Sequence, residues 1–455
     1  MVKNLDPFFS AKHIAVIGVS HDTAKVGHVV FRNFIDSHYK GKIFPVNPNL
    51  DEILGHKCYP SILKVKERVD LALICVPAAL SIRAVEECGK KGIKNIIIIT
   101  AGYKEVGNFE LDKKMEAVLK KYKIACIGPN CLGTFDAHTG LDTLFLPRYR
   151  LKRPDEGTIS FVTQSGAAGS AIMDYATENG YNFAKFVSYG NAMNIDESDI
   201  IEYLGEDEKT KVICLYLEGA KDGKKFVDVC RRVSKKKPII TIKGGITSAG
   251  SKAILSHTGA LAGSVQIYFG AFKQARIIRA VTLEEMFEFA KILDKSMKPK
   301  GDRVQVITNG GGYGILSTDA IIKNKLKMAE MDKKIVNQLK KEMPPIVVIK
   351  NPIDLLGDAT DERYEKAIDA CMADKNIDII LVILLYQTPL ISPDVVNTII
   401  EANSLRKKPI IVVSTGGEFT EILSEGLEEN GVPCYSFPNN AVKSIKHLFD
   451  YYNKR

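Results

Sequence analysis

The sequence predicts an α/β chain of doubly wound domains, one Rossmann-like and two smaller ones. Three observations predict it. Three segments repeat a plan of buried strand, glycine-bearing turn and amphipathic helix: HIAVIGVSHDTAKVGHVVFRNF from His13, TISFVTQSGAAGSAIMDYATENG from Thr158 and RVQVITNGGGYGILSTDAIIKN from Arg303. A β-rich apolar run passing directly into a helical period marks a βαβ unit and a parallel sheet. The second and third units also match each other further along, KKKPIITIKGG from Lys235 with RKKPIIVVSTGG from Arg406, and VICLYLEG from Val212 with IILVILLYQT from Ile379. Finally, 455 residues, 45% hydrophobic and 26% charged, are enough for about three domains with their own cores.

The first unit continues through KIFPVNPN, DLALICVP, NIIIIT and IACIGPN, so a Rossmann-like domain is expected over residues 1–130. A connection covers 131–156 and includes PRYRLKRPDEG. The middle domain follows over 157–295 and the last over 296–455, across the polar hinge DKSMKPKGDR from Asp294 to Arg303.

Several function classes are excluded. No apolar stretch reaches the roughly 18 to 20 residues that span a bilayer, and the N-terminus carries no export pattern, so a cytoplasmic protein without a membrane partner is expected. The nine cysteines are scattered in apolar contexts and form no Cys-x-x-Cys pair, and no histidine pattern for zinc exists, so no metal site is expected. The net charge of +9 includes RRVSKKKP, read as a solvated helix end before a strand. Without Trp or a basic stripe interleaved with aromatics, nucleic-acid binding is not expected.

The chemistry concentrates in the middle copy. ILSHTGALAG places His257 among small residues, and the strand LYLEG ends in Glu218; the last copy has neither a histidine loop nor a carboxylate at those places. Gln164 to Gly166 follow a strand and open a helix. In a doubly wound sheet these loops converge at the carboxyl ends of the strands. A carboxylate on one imidazole nitrogen fixes the tautomer and leaves the other free to attack. If the electrophile is a phosphoryl group, the product carries nearly two charges, which helix N-termini with free N–H groups can offset. Ser165 and Gly166 supply one terminus, and TGALAG, including Gly259, supplies another if it opens a helix. Gly244, Gly245 and Gly250 suit a hinge for this loop.

The first turn, GVSHDTAKVG, is not G-x-G-x-x-G, and the second strand ends in VNPN rather than an acidic residue, which disfavours NAD. A crevice lined by Lys25, Lys40 and Lys42 better suits a nucleotide with extra phosphate, as in coenzyme A.

The order VP at Val76, IITAGYKE at Ile98, IGPNCLG at Ile127, FVTQSGAAGSA at Phe161, LYLEG at Leu215 and KGGITSAGSKAILSHTGALAG at Lys243 resembles the nucleoside-diphosphate-forming acyl-CoA synthetases. Within that superfamily, which includes succinyl-CoA synthetase, it is most similar to the alpha subunit of ADP-forming acetyl-CoA synthetases, over the full chain. The resemblance implies a CoA-binding Rossmann-like domain followed by two flavodoxin-like, succinyl-CoA-synthetase-type domains. It implies that His257 is phosphorylated, that Glu218 stabilises it, and that Ser165, Gly166, Asn191, Ala192 and Gly259 surround the phosphate. It places CoA on Gly18, Ser20, Lys25, Asn47, Pro48, Val76, Pro77, Thr100, Ala101, Gly102 and Asn130. The first turn and Ala101, where the succinate enzyme has a glutamate, depart from the family pattern.

The implied reaction interconverts acetyl-CoA, ADP and phosphate with acetate, ATP and CoA through acetyl phosphate and a phosphohistidine. No Walker loop or ATP-grasp segment is present, so ADP or ATP with Mg2+ belongs to a beta subunit in an α2β2 heterotetramer. A succinyl-CoA synthetase-like ligase and a non-catalytic CoA-binding regulatory scaffold stay open as alternatives.

Overall fold

A computed structural model describes residues 4–37, 39–250 and 264–453. The chain forms two compact units, Met1–Met286 and Phe287–Arg455. The division falls within the helix Leu283–Lys295, ahead of the stretch read as the hinge.

The first sheet uses the apolar runs of the N-terminal third. Its strands are β1 (His13–Ile17), β2 (Lys42–Val46), β5 (Leu71–Ile74), β6 (Asn95–Ile98) and β7 (Ala125–Ile127), in the order β2-β1-β5-β6-β7, all parallel. A short hairpin, β3 (Glu52–Ile53) with β4 (His56–Lys57), lies off this sheet. Near-continuous Ile, Val and Leu are what a parallel strand covered on both faces requires, and β5 is buried throughout. The covering helices are α1 (Pro7–Ser10), α2 (Val26–Asp36), α3 (Ala78–Lys91) and α4 (Phe109–Tyr122). In α4, Asn108 caps Leu111 N, with Glu110 and Asp112 in the first turn and Lys120 and Lys121 in the last, which matches the helix dipole at both ends. The chain winds outward in opposite directions from β1 and β5, so a crevice opens at their carboxyl ends.

The second sheet contains β8 (Gly133–Asp136), β9 (Leu141–Asp142), β10 (Glu156–Thr163), β11 (Phe183–Ser188), β12 (Val212–Leu217), β13 (Ile239–Lys243) and β14 (Ile278–Arg279), in the order β14-β13-β12-β10-β11-β8-β9. Helices α5 (Gly166–Glu178), α6 (Glu197–Glu206) and α7 (Gly223–Val233) lie between its strands in sequence. Here the stretch 131–156, expected as a plain connection, instead supplies β8 and β9, with β8 antiparallel to β11. Its buried positions Thr134, Asp136, Asp142 and Thr143 are polar, so apolar alternation could not announce these strands. They are satisfied by partners such as Thr143 Oγ1, which accepts from Thr134 N at 2.7 Å, and Lys185, whose Nζ lies 3.2 Å from Asp136. The basic run RRVSKKKP does close α7 before β13.

The second unit has its own sheet. It comprises β15 (Arg303–Thr308), β16 (Lys327–Met328), β17 (Val348–Ile349), β18 (Ile353–Asp354), β19 (Ile379–Ile383), β20 (Ile410–Val413) and β21 (Cys434–Tyr435), ordered β17-β18-β15-β19-β20-β21 with β16 beside β15. Tyr364, Ile368 and Ile399 from its helices bury against Val382, Leu384 and Val412.

Candidate active site

The crevice of the first sheet is built by backbone at close quarters. Gly18, directly after β1, has φ +99°, and its N–H donates to Val46 O at 2.9 Å. A Cβ on Gly27 would lie 2.0 Å from Gly18 O, so only glycine lets α2 approach the turn this closely. Asn47 Nδ2 donates to Val19 O at 2.6 Å and ties the β2 loop to the β1 loop. Lys25, at the N-cap of α2, makes no side-chain cap bond to the first turn. Thr100 Oγ1 donates to Val76 O at 2.6 Å, and Asn130 N to Thr100 O at 3.0 Å, which gathers the loops after β5, β6 and β7.

The second sheet presents its own carboxyl ends. Ser165 caps α5 by accepting from Ala168 N at 3.2 Å. Gly169 holds that helix against β10 and β11, since a Cβ there would meet Thr163 Cγ2 at 2.7 Å and Phe186 at 2.8 Å. Glu218, 6% exposed, follows β12, and Gln164 Oε1 accepts from both Glu218 N and Gly219 N at 3.2 Å. Lys243 Nζ donates to Glu218 O at 2.6 Å and lies 4.7 Å from the Tyr268 ring centre. Burial lowers the affinity of Lys243 for its proton, against the attraction of Glu218.

The loop after β11 links the two halves. Gly190 has φ +56° and leaves only 2.2 Å between an added Cβ and Asn130 O. Asn191 N donates to Pro129 O at 2.9 Å, Met193 N to Gly128 O at 3.0 Å, and Lys104 Nζ to Asn191 O at 2.8 Å. Lys221 Nζ donates to Ala192 O at 2.9 Å and Met193 O at 2.7 Å.

One continuous cavity of about 1210 Å3 results. Among the residues singled out in the sequence, Gly18, Ser20, Lys25, Asn47, Pro48, Val76, Pro77, Thr100, Ala101 and Asn130 line it from the first sheet, and Ser165, Gly166, Asn191 and Glu218 from the second. Gly102 is off the lining; its N–H donates to Glu105 Oε1. Ala192, at φ +53°, is also off it and offers its carbonyl to Lys221. His257 and Gly259 lie outside the described residues. Lys40 and Lys42 do not line this crevice, contrary to expectation: Lys42 begins β2, at the opposite end of the strand from the crevice, and borders a separate cleft with Tyr39 and Tyr59. Of the glycines read as a hinge, Gly244 is anchored by its N–H to Leu217 O, and a Cβ on it would lie 2.9 Å from the Tyr216 hydroxyl.

Sequence reading passed over Phe145 and Leu146, which wall the cavity from the 131–156 stretch, and Lys104 beside Asn191. It also passed over Arg83 and Glu87 on α3, which pair at 3.1 Å, with Ser61 Oγ donating to Glu87 at 2.7 Å. On a helix they resemble any solvated (i, i+4) pair.

The cavity, about 1210 Å3, exceeds the roughly 300–1,000 Å3 of a drug-sized site, and its mixture of apolar walls with the cationic side chains of Lys25, Arg83 and Lys104 suits a long ligand that carries phosphates. No group of three or more His, Cys, Asp or Glu side chains able to hold a metal occurs among the described residues. No helix among them is long and apolar enough to cross a membrane.

Comparison with known proteins agrees with this arrangement. Residues 12–136 match a CoA binding domain, 156–293 a succinyl-CoA ligase like flavodoxin domain, and 304–450 a ligase-CoA domain. The alpha subunit of acetate–CoA ligase (ADP-forming) II of Pyrococcus furiosus is 38% identical over 98% of this chain and 97% of that subunit. The chain belongs to the ADP-forming acetate–CoA ligase family. Another relative in the family, the acetate–CoA ligase (ADP-forming) of Methanocaldococcus jannaschii, is 43% identical over 97% of this chain, which spans 62% of that longer protein. Among solved structures, Candidatus Korarchaeum cryptofilum dinucleotide-forming acetyl-coenzyme A synthetase 1, in complex with phosphate and ADP, superposes with a TM-score of 0.92. It is 36% identical, covering 99% of this chain and 97% of that one. The family and fold class read from the motifs are therefore borne out, including the CoA-binding first domain.

Proposed function

We propose that the chain is the alpha subunit of an ADP-forming acetyl-CoA synthetase, a ligase joining an acid to a thiol. The observation that carries this reading is the single cavity that runs from the Gly18 and Asn47 loops to the α5 N-terminus and Glu218. A thioester bound by its nucleotide end at the first sheet then reaches a phosphate held at the second.

A phosphate oxygen attacks the acetyl carbonyl of acetyl-CoA, the C–S bond breaks, and the departing thiolate takes up a proton to leave as free CoA. The N–H groups opening α5 at Gly166 stabilise the negative charge on phosphate and on acetyl phosphate. An imidazole nitrogen of His257 then attacks phosphorus and acetate departs. Glu218 orients that ring and balances the charge it gains. Finally a terminal oxygen of ADP takes the phosphoryl group, forming ATP and restoring His257. The nucleotide, with Mg2+, binds an ATP-grasp domain on a beta subunit in an α2β2 assembly located in the cytoplasm. The separate alpha-subunit names of the Pyrococcus relatives support a second subunit.

The test is the intact mass of the chain after incubation with acetyl-CoA and phosphate, beside His257→Ala. One acid-labile phosphoryl group on the native chain and none on the variant is the expected result. If no phosphoryl group appears with or without the partner subunit, and CoA still binds, the chain acts as a CoA-binding protein instead.

A further inference from the structure

The two flavodoxin-like sheets open their first helices through turns of the same chemistry: Thr163-Gln164-Ser165-Gly166 after β10 and Thr308-Asn309-Gly310-Gly311 after β15. In each, the threonine hydroxyl donates to the carbonyl two residues on, at 2.8 Å to Ser165 O and 2.9 Å to Gly310 O. In each, the side-chain amide carbonyl accepts from the end of the neighbouring strand. Gln164 Oε1 accepts from Glu218 N and Gly219 N at 3.2 Å, and Asn309 Oδ1 from Leu385 N at 3.0 Å.

The copies part at the amide nitrogen. Asn309 Nδ2 donates to Leu385 O at 2.9 Å and Thr388 Oγ1 at 3.2 Å, so both halves of that amide are used as a staple. Gln164, one methylene longer, uses only its carbonyl, and its Nε2 has no hydrogen-bond partner among the described residues. Two backbone N–H groups on the carbonyl leave no choice of flip, because the opposite orientation would set donor against donor. The NH2 group is therefore the half of the amide left to face the cavity, between Ser165 and Glu218, which also line it.

We propose that Gln164 is a phosphoryl-binding residue, its Nε2 donating to an oxygen of phosphate at the N-terminus of α5; this rests on the function proposed above. The Glu218 carboxylate borders the same cavity and repels an arriving anion. A neutral amide supplies a directed hydrogen bond there without titrating. Its carbonyl, polarised by two donors, makes the NH2 group a stronger donor. In the second unit the corresponding strand is followed by Leu384 and Leu385 with no carboxylate, and there both halves of the amide are taken up by Leu385 and Thr388.

The test uses the full chain with Gln164→Glu, which keeps the acceptor and removes the donor, and Gln164→Met, which removes both. CoA affinity is measured by calorimetry, and the phosphate KM by phosphate-dependent release of CoA from acetyl-CoA. For Gln164→Glu the expected result is a CoA Kd within twofold of wild type and a phosphate KM raised tenfold or more. That rise should shrink toward pH 6, as the new carboxyl takes up a proton and regains a donor, whereas Gln164→Met should show no such recovery. A phosphate KM within twofold of wild type in Gln164→Glu, or a parallel loss of CoA affinity, overturns the proposal and leaves Gln164 a staple like Asn309. Absence of CoA release by the wild-type chain counts against the proposed function instead. Direct binding of inorganic phosphate to wild type and Gln164→Glu then decides the role of Gln164, weaker binding by the variant supporting it and equal binding overturning it.

Discussion

Asn191 Nδ2 donates to the Glu105 carboxylate at 2.5 Å, joining the loop after β11 to the loop after β6. Glu105 also accepts from Gly102 N and Tyr103 N. Burial pushes the Glu105 carboxyl up, but these hydrogen bonds outweigh it and hold the group below the usual carboxylate range. In Glu105→Gln the new NH2 group would face the Asn191 NH2 group, so the link fails. The variant is expected to lose about 1.5–3 kcal/mol at neutral pH, the usual worth of hydrogen bonds to a charged group. A depressed folded-state pKa contributes stability above the unfolded value that is lost as pH falls through the folded one. The gap to wild type in thermal unfolding should therefore close in acid, and a gap independent of pH would contradict the assignment.

Gly27 tests the first crevice. Its missing side chain leaves room for Gly18 O, which a Cβ would approach to 2.0 Å. Both atoms belong to backbone, so the helix or the turn must move. Gly27→Ala is expected to destabilise by about 1–3 kcal/mol and to weaken CoA binding at least tenfold in a titration of the folded variant. Unchanged affinity would mean that the turn after β1 does not set the nucleotide site.

Glu197 offers a pH signature of opposite sign. It is 1% exposed, and its Oε1 accepts from Lys221 N at 3.0 Å. Burial, aided by the neighbouring Asp196 charge, pushes its carboxyl up to about 7 against the hydrogen bonds from its own N–H and Lys221 N. The folded state thus binds this proton more tightly than the unfolded chain. Its contribution to stability is full below the ordinary carboxylate pKa and disappears as pH rises to about 7. Glu197→Gln keeps the acceptor for Lys221 without the charge. It should be more stable than wild type by about 2–3 kcal/mol at pH 8 and nearly equal at pH 5, read by denaturant unfolding at both.

How far the sequence discloses this molecule depends on the range of each interaction. Strands such as β5 and β6 are runs of Leu and Ile, and glycine turns follow β1 and β10 within a few residues, so local patterning reveals them. Glu218 and Ser165 were legible because each sits at a strand end. The Gln164 to Glu218 and Glu105 to Asn191 links span 54 and 86 residues, and no local pattern encodes such pairs. Lys40 and Lys42 misled for a different reason: they stand at or just before the start of the run KIFPV, and the crevice opens at the other end of that strand, beside VNPN. The strands β8 and β9 escaped because their buried side chains include carboxylates whose partners lie elsewhere in the sequence.

Asp142, at the end of β9, shows what those carboxylates do. It is fully buried and meets Arg153 Nε at 3.0 Å and Arg148 NH1 at 2.9 Å. Arg153 in turn donates to Leu146 O at 2.8 Å, and Asn33 Nδ2 donates to Leu144 O and Leu146 O. This network holds the wall of the cavity formed by Phe145 and Leu146. Asp142→Asn leaves the buried Arg153 guanidinium without a counter-charge, an imbalance that typically costs about 3–5 kcal/mol, and should loosen that wall enough to raise the CoA Kd. Removing the cation as well, in Asp142→Asn with Arg153→Met, relieves the uncompensated charge. The double variant is expected to unfold at higher denaturant than Asp142→Asn alone while its CoA affinity stays weak, because Arg153→Met takes one of the two donors from Leu146 O and leaves only Asn33 Nδ2 to hold that wall. Recovery of both stability and affinity would show that charge balance alone shapes the wall, and recovery of neither would place the effect outside this network.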